Sequence, residues 1–142
     1  VRALVDTPIW SLAFRRKTGD MSAQERCLER ELAELIREGR TCLIGPIRQE
    51  ILSGIRDDGT FERVREHLRH FDDEPFDVED FERAAQFFNA CRAHGVTGTP
   101  TELLICAVAD RLDMAIFTTD SDFRRYAKHL SVRLHVPRKV YE

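Results

Sequence analysis

Residues 116–123 read Ile-Phe-Thr-Thr-Asp-Ser-Asp-Phe and close a short apolar run that begins at Met114. An apolar run that stops abruptly in hydroxyls and carboxylates predicts a buried parallel strand whose last residues emerge at a sheet edge. In open α/β sheets the ligand crevice lies outside the carboxyl ends of the strands. Asp120 and Asp122 are therefore expected at a place where chemistry can occur.

Working outward, Thr99-Pro100-Thr101-Glu102 sets a cap, a first-turn proline and a third-position glutamate ahead of the apolar block Leu103–Ala109, which predicts a helix running into the Met114 strand. Arg2–Val5 reads as a first buried strand with Asp6 directly behind it. Pro8 then opens a helix with Trp10, Leu12, Ala13 and Phe14 on its apolar side. Arg15–Asp20 is a polar, basic loop, and Ser22 with Glu25 forms a capping box for a helix carrying Leu28, Leu32, Leu35 and Ile36 that Gly39 ends. Thr41–Ile44 is a second apolar run, and Gly45-Pro46 leads from it into a helix carrying Ile47, Glu50, Ile51 and Ile55. Beyond a break at Gly59, Thr60 is expected to cap a helix with Phe61, Val64 and Leu68. After an acidic loop at Asp72–Pro75, Asp77 caps a long helix with Phe81, Ala84, Ala85, Phe88 and Cys91 that stops at Gly95. A short helix with Phe123, Tyr126 and Ala127 and a last strand within Ser131–Val136 complete the chain. Alternating strands and helices with extra helices in the middle predict a three-layer α/β/α fold around a short parallel sheet, in a single domain over residues 1–142.

The chain's 142 residues are 33% charged and 42% hydrophobic, the balance of an ordinary globular protein. Its longest apolar run, Leu103–Ala109, is far short of the ~20 residues a membrane span needs. The chain opens directly on the Arg2–Val5 strand without a charged-then-apolar leader, so a cytoplasmic location is expected. The cysteines at 27, 42, 91 and 106 stand singly and read as reduced core thiols. With a net charge of −3 the protein has no global attraction for a polyanion, which would need a metal or a local basic patch.

Direction of travel makes the acids converge. A helix that follows a parallel strand starts at the strand's carboxyl edge, and so does a helix that precedes one. Asp6 and Asp120 leave strand ends, Glu50 follows the second strand and Glu102 opens the helix before Met114, so all four are expected at one edge. Carboxylates held together repel unless a cation compensates, and hard oxygen ligands suit Mg²⁺ or Mn²⁺ completed by substrate phosphate oxygens. Phosphodiester hydrolysis is the chemistry that follows. His67 and His70 share a helix face, but no Cys or His cluster completes a ligand set, so they read as solvated. Arg124 and Arg125, close behind the acids, read either as holders of substrate phosphates or as a plain basic helix surface, and Arg15-Arg16-Lys17 is a weaker candidate.

Leu4-Val5-Asp6-Thr7-Pro8-Ile9-Trp10, Arg48-Gln49-Glu50-Ile51, Thr101–Ala109 and Phe117–Phe123 together resemble the PIN domain, and more closely the VapC-type toxins of type II toxin–antitoxin pairs. The resemblance covers nearly the whole chain in order. It implies a Mg²⁺-dependent endoribonuclease restrained by a partner antitoxin and often dimeric. Asp6, Glu50, Asp120 and Asp122 match the family's acidic positions, and Thr7 and Thr118 its accompanying hydroxyls. Glu102 stands where an Asp is usual, one methylene longer. The expected catalytic set is thus Asp6, Glu50, Glu102, Asp120 and Asp122, with Asp6, Glu102 and Asp120 as metal ligands. Thr7, Thr118, Arg124 and Arg125 are expected to contact substrate.

The Glu102 departure motivates a second reading, a catalytically weak PIN-like domain that mainly binds antitoxin or RNA. A signalling receiver-like domain would need paired acids after the first strand, and Asp6 has no acidic neighbour. The resemblance places the antitoxin's C-terminal segment over the acidic edge. Trp10, Phe14 and Leu35 are expected as its apolar anchors, and Trp10, Phe14, Phe81, Phe87 and Phe88 as core or dimer contacts.

Overall fold

The structure is a computed structural model that describes residues 1–15 and 18–138. Strands β1 (Ala3–Val5), β2 (Thr41–Cys42), β3 (Ala115–Phe117) and β4 (Arg133–Leu134) form one parallel sheet in the order β2-β1-β3-β4. Leu4 pairs with Cys42 on one side and Ile116 on the other. Ala3, Leu4, Val5, Ile116 and Phe117 are all buried, because a parallel sheet covered on both faces leaves no wet face for polar residues.

The helices are α1 (Thr7–Arg15), α2 (Ala23–Arg37), α3 (Gly45–Ser53), α4 (Asp58–Leu68), α5 (Val78–Ala93), α6 (Pro100–Arg111) and α7 (Asp122–Ala127). The step from β1 to β2 goes one way along the sheet, and the steps to β3 and β4 go the other way. Right-handed crossovers therefore set helices on both faces and give the expected three layers. Strand order reverses between β1 and β3, which opens a crevice outside their carboxyl ends.

Local signals mostly act where the sequence puts them. Ser22 and Glu25 form the reciprocal capping box of α2 at 3.1 Å each way. Gly39 and Gly95 take positive φ (67° and 77°) just past α2 and α5, a conformation that costs glycine little. Thr60 is a correction: Asp57 caps α4, its carboxylate accepting both the Thr60 amide and the Thr60 hydroxyl at 2.7 Å. A charged acceptor outcompetes a hydroxyl for a helix amide, so the helix begins earlier and takes Gly59 into its first turn. The last strand is limited to Arg133–Leu134, α3 ends at Ser53 and leaves Ile55 outside it, and Ala13 faces solvent. The cysteines are free, three of them buried, as expected. His67 and His70 are exposed. Arg16 and Lys17 of the basic loop lie outside the described residues.

Trp10 and Leu35 are wholly buried, which overturns their expected part as docking anchors. The Trp10 indole N–H donates to the Val5 carbonyl at 3.0 Å, and its ring stacks on Phe14 and meets Phe71 edge-on. Phe14 is only half-buried.

Three side-chain anchors hold the periphery. Arg48 on α3 donates to Asp73 and to the Leu68 and Phe71 carbonyls, fixing α3 against the end of α4. Glu31, buried on α2, accepts from His135 and Arg138 and so pins the segment after β4. Asp80, 2% exposed at the start of α5, receives both Nε (2.7 Å) and an NH2 (3.0 Å) of Arg111 at the end of α6. Removing one partner of such a pair strands a buried charge. Arg111→Met should lower unfolding free energy by about 3 kcal/mol, measured by urea denaturation, and adding Asp80→Asn should restore most of the loss.

Candidate metal centre

Asp6 is where β1 hands the chain to α1. Its amide donates to the Phe117 carbonyl at 2.9 Å, which carries the β1–β3 pairing one residue past the strands. Its side chain is 6% exposed. One carboxylate oxygen accepts the Thr7 amide at 2.9 Å, and the other accepts the Thr118 hydroxyl at 2.8 Å. Thr118 Oγ1 also accepts the Asp120 amide at 3.0 Å, and Asp120 Oδ1 accepts the Asp122 amide at 2.9 Å. The Thr118–Asp122 turn is thus a relay in which each side chain fixes the next backbone group, ending at the first turn of α7.

Glu102 reaches the same edge from α6. Thr99 caps that helix by accepting the Glu102 amide at 3.2 Å, but the Glu102 carboxylate does not return to the Thr99 backbone as a capping box would require. Its Oε1 accepts the Thr99 hydroxyl at 2.8 Å, and its Oε2 accepts the Tyr126 hydroxyl at 3.2 Å. Burial and the neighbouring Glu102 carboxylate raise the Tyr126 phenol well above its ordinary pKa, which keeps it a donor.

Glu102, Asp120 and Asp122 each bring a carboxylate oxygen within 4.8 Å of the others. Asp6 stands beside this trio with its oxygens engaged by Thr7 and Thr118. Glu50, exposed on α3, reaches the group through its field, which with that of Asp120 acts on Asp6. All five expected acids therefore come to one edge, and Asp122 joins Glu102 and Asp120 in the tightest cluster. Tyr126, which the sequence offered only as an apolar position, and Thr99, read only as a cap, both donate to the Glu102 carboxylate. The available signal was the i,i+4 spacing that puts Tyr126 on the Asp122 face of α7.

The donor set fits a hard divalent cation: oxygen atoms only, close enough to share an ion, and backed by hydroxyl donors that orient them. The Thr7 hydroxyl, buried next to Asp6, is a polar atom without a partner among the described residues. Arg125 pairs with Asp122, whereas the side chains of Arg124 and Lys128 have no hydrogen-bond or ion-pair partner among the described residues. Those two exposed cations leave the edge along α7.

The sequence profile of the PIN domain matches residues 3–129. A VapC ribonuclease of Mycobacterium bovis and ribonuclease VapC11 of Mycobacterium tuberculosis are each 36% identical to the chain over 126 residues, covering 84% of it and 87% of the relative. Among solved structures, FitAcB from Neisseria gonorrhoeae superposes with a TM-score of 0.75 at 20% identity, over 95% of this chain and 97% of that one. VapBC2 from Rickettsia felis, bound to a DNA fragment from its promoter, superposes with a TM-score of 0.71 at 12% identity, over 95% and 98%. These two likenesses speak for the fold.

Burial raises the Asp6 carboxyl above its ordinary pKa, the bonds from Thr118 and Thr7 pull the other way, and the fields of Glu50 and Asp120 add to the rise. The folded state therefore binds this proton more tightly than the unfolded chain does, so Asp6 costs stability increasingly as pH rises through the carboxylate range. In metal-free buffer at pH 7, Asp6→Asn should melt at the same temperature as wild type or higher. That advantage should shrink to nothing below about pH 3.9, and a variant markedly less stable at pH 7 would count against a strained carboxylate.

Proposed function

The chain belongs to the PIN domain family, and from that premise we propose that it is a metal-dependent endoribonuclease of the VapC type, hydrolysing RNA phosphodiester bonds under the restraint of an antitoxin. The observation that carries the reading is the meeting of Glu102, Asp120 and Asp122 within 4.8 Å beside the buried Asp6. Relatives named VapC ribonuclease at 36% identity support it. The extra methylene of Glu102, which motivates the binding-module alternative, does not keep its carboxylate from the other two, and that favours the enzyme.

A hard divalent cation, Mg²⁺ or Mn²⁺, supplies Lewis-acid polarisation of the scissile phosphoryl group when bound, and Glu102, Asp120 and Asp122 would hold it with Asp6 adding charge alongside. The protein's own part is to fix these oxygens beforehand. Asp6, its carboxylate fixed by the Thr7 amide and the Thr118 hydroxyl, is the further ligand expected beside them. Arg124, together with Lys128, offers charge to the RNA phosphates next to the scissile one. Arg125 contributes through Asp122, which it pairs with. Losing RNA affinity when both Arg124 and Lys128 are neutralised would test that role.

The antitoxin is proposed to present a basic side chain to the carboxylates, since Arg can pair with them bidentately. Its apolar contacts must come from surface groups, Trp10 and Leu35 being core. A second copy of the chain is proposed to pack on the open face of α5 and α6, where Phe81 is 54% exposed and a groove of about 450 Å³ runs between Phe88 and Leu104. Light scattering on the purified chain reads that state. The single domain over residues 1–142 and a cytoplasmic site of action belong to the same proposal. Among the described residues no helix is long and apolar enough to cross a membrane.

Cleavage of a synthetic RNA should require Mg²⁺ or Mn²⁺, stop on chelation, and fall more than about 100-fold in Asp120→Asn without loss of fold. Cleavage indifferent to chelation would refute the metal assignment. Affinity for an antitoxin peptide carrying the basic residue should fall as Mg²⁺ rises and weaken in Asp120→Asn, and indifference to both would put the partner on another face.

A further inference from the structure

We propose that Tyr126 is a positioning residue for the metal centre, acting by holding the carboxylate of Glu102. The inference rests on the metal-centre reading above. Glu102 has three side-chain torsions, so without restraint its carboxylate sweeps a wide arc and adds ordering entropy to any ion it binds. Two donors remove that freedom. The Thr99 hydroxyl holds Oε1 at 2.8 Å from within the same helix start, and the Tyr126 hydroxyl holds Oε2 at 3.2 Å from 24 residues further on. Each oxygen keeps a second lone pair, and the cluster with Asp120 and Asp122 lies within reach of those.

Tyr126 can do this because its ring cannot move. It is 1% exposed and packs edge-on against Phe123, with centroids 5.4 Å apart. The loop before α6 passes directly over its hydroxyl end. A Cβ at Gly98 would lie 2.3 Å from Leu103 Cδ2, 2.9 Å from the Tyr126 oxygen and 3.1 Å from its Cε1, so this loop is packed tightly on both side chains. Gly98 does not need positive φ, so its lack of a side chain answers a close approach and not a turn. The phenol is thereby fixed from the core side, while its oxygen faces a carboxylate at the site. A buried tyrosine satisfied merely for its own sake would not need that partner to be a cluster acid.

Calorimetric titration of the full chain with Mn²⁺ separates the possibilities without relying on turnover. Tyr126→Phe keeps the ring and its packing, and should weaken Mn²⁺ binding about 10-fold, the usual scale for losing a group that orients a ligand. In a Glu102→Asp background the shorter carboxylate no longer reaches the phenol, so adding Tyr126→Phe should change affinity by less than about 2-fold. Equal losses in both backgrounds would make Tyr126 an ordinary core residue, and an unchanged affinity in Tyr126→Phe would overturn the positioning role alone. A wild-type chain that binds no Mn²⁺ overturns the metal-centre reading and this inference with it. Mn²⁺ binding that follows the pattern in a chain that cuts no RNA would leave the positioning role standing and refute the nuclease.

Discussion

The Thr118 hydroxyl carries the site. It donates to the buried carboxylate of Asp6 and accepts from the amide of Asp120, so one oxygen ties the end of β1 to the end of β3 and sets the turn that follows. Backbone pairing continues across the same gap through the Asp6 amide and the Phe117 carbonyl. Every later element of the edge inherits its position from this knot: the turn delivers Asp120, Asp120 receives the Asp122 amide, and α7 starts there and brings up Tyr126.

The knot also shows what the fold tolerates. A carboxylate 6% exposed and close to other acids costs stability in the absence of a cation, and only hydroxyl and amide donors offset that cost. Among the described residues no basic side chain is bonded to Asp6. Compensation by Arg or Lys would have been the stable solution, as Arg111 does for Asp80 on the far side of the molecule. The contrast between a buried acid given a cation by the chain and one denied it separates a structural pair from a site that receives its charge from outside.

How much of this was legible depended on the range of the cause. Strand ends were readable, because apolar runs that stop in acids are a local pattern, and the direction rule for parallel sheets then brought Asp6, Glu50, Glu102 and Asp120 to one edge. Which carboxylates come closest was not readable. It depends on side-chain torsions set by Thr99, Thr118 and Tyr126, the last lying 24 residues from its partner. Tyr126 looked like one more apolar position on a short helix, and its ring is indeed core. Trp10 was read both as core and as a docking anchor, and only the first holds, because its ring is buried and its N–H is spent on the Val5 carbonyl. The misplaced cap at Thr60 came from weighing a hydroxyl and overlooking the stronger carboxylate just before it.

Because β1 and β3 are neighbours although their meeting residues stand 112 positions apart, the centre cannot exist until the chain has been made past Thr118. Asp6 has no Thr118 to hold it until the 112 positions between them have been made. Parallel pairing of such distant segments forms late and all at once. A growing chain therefore carries its acids apart while it is still attached to messenger RNA, and the topology itself delays the moment at which they can act.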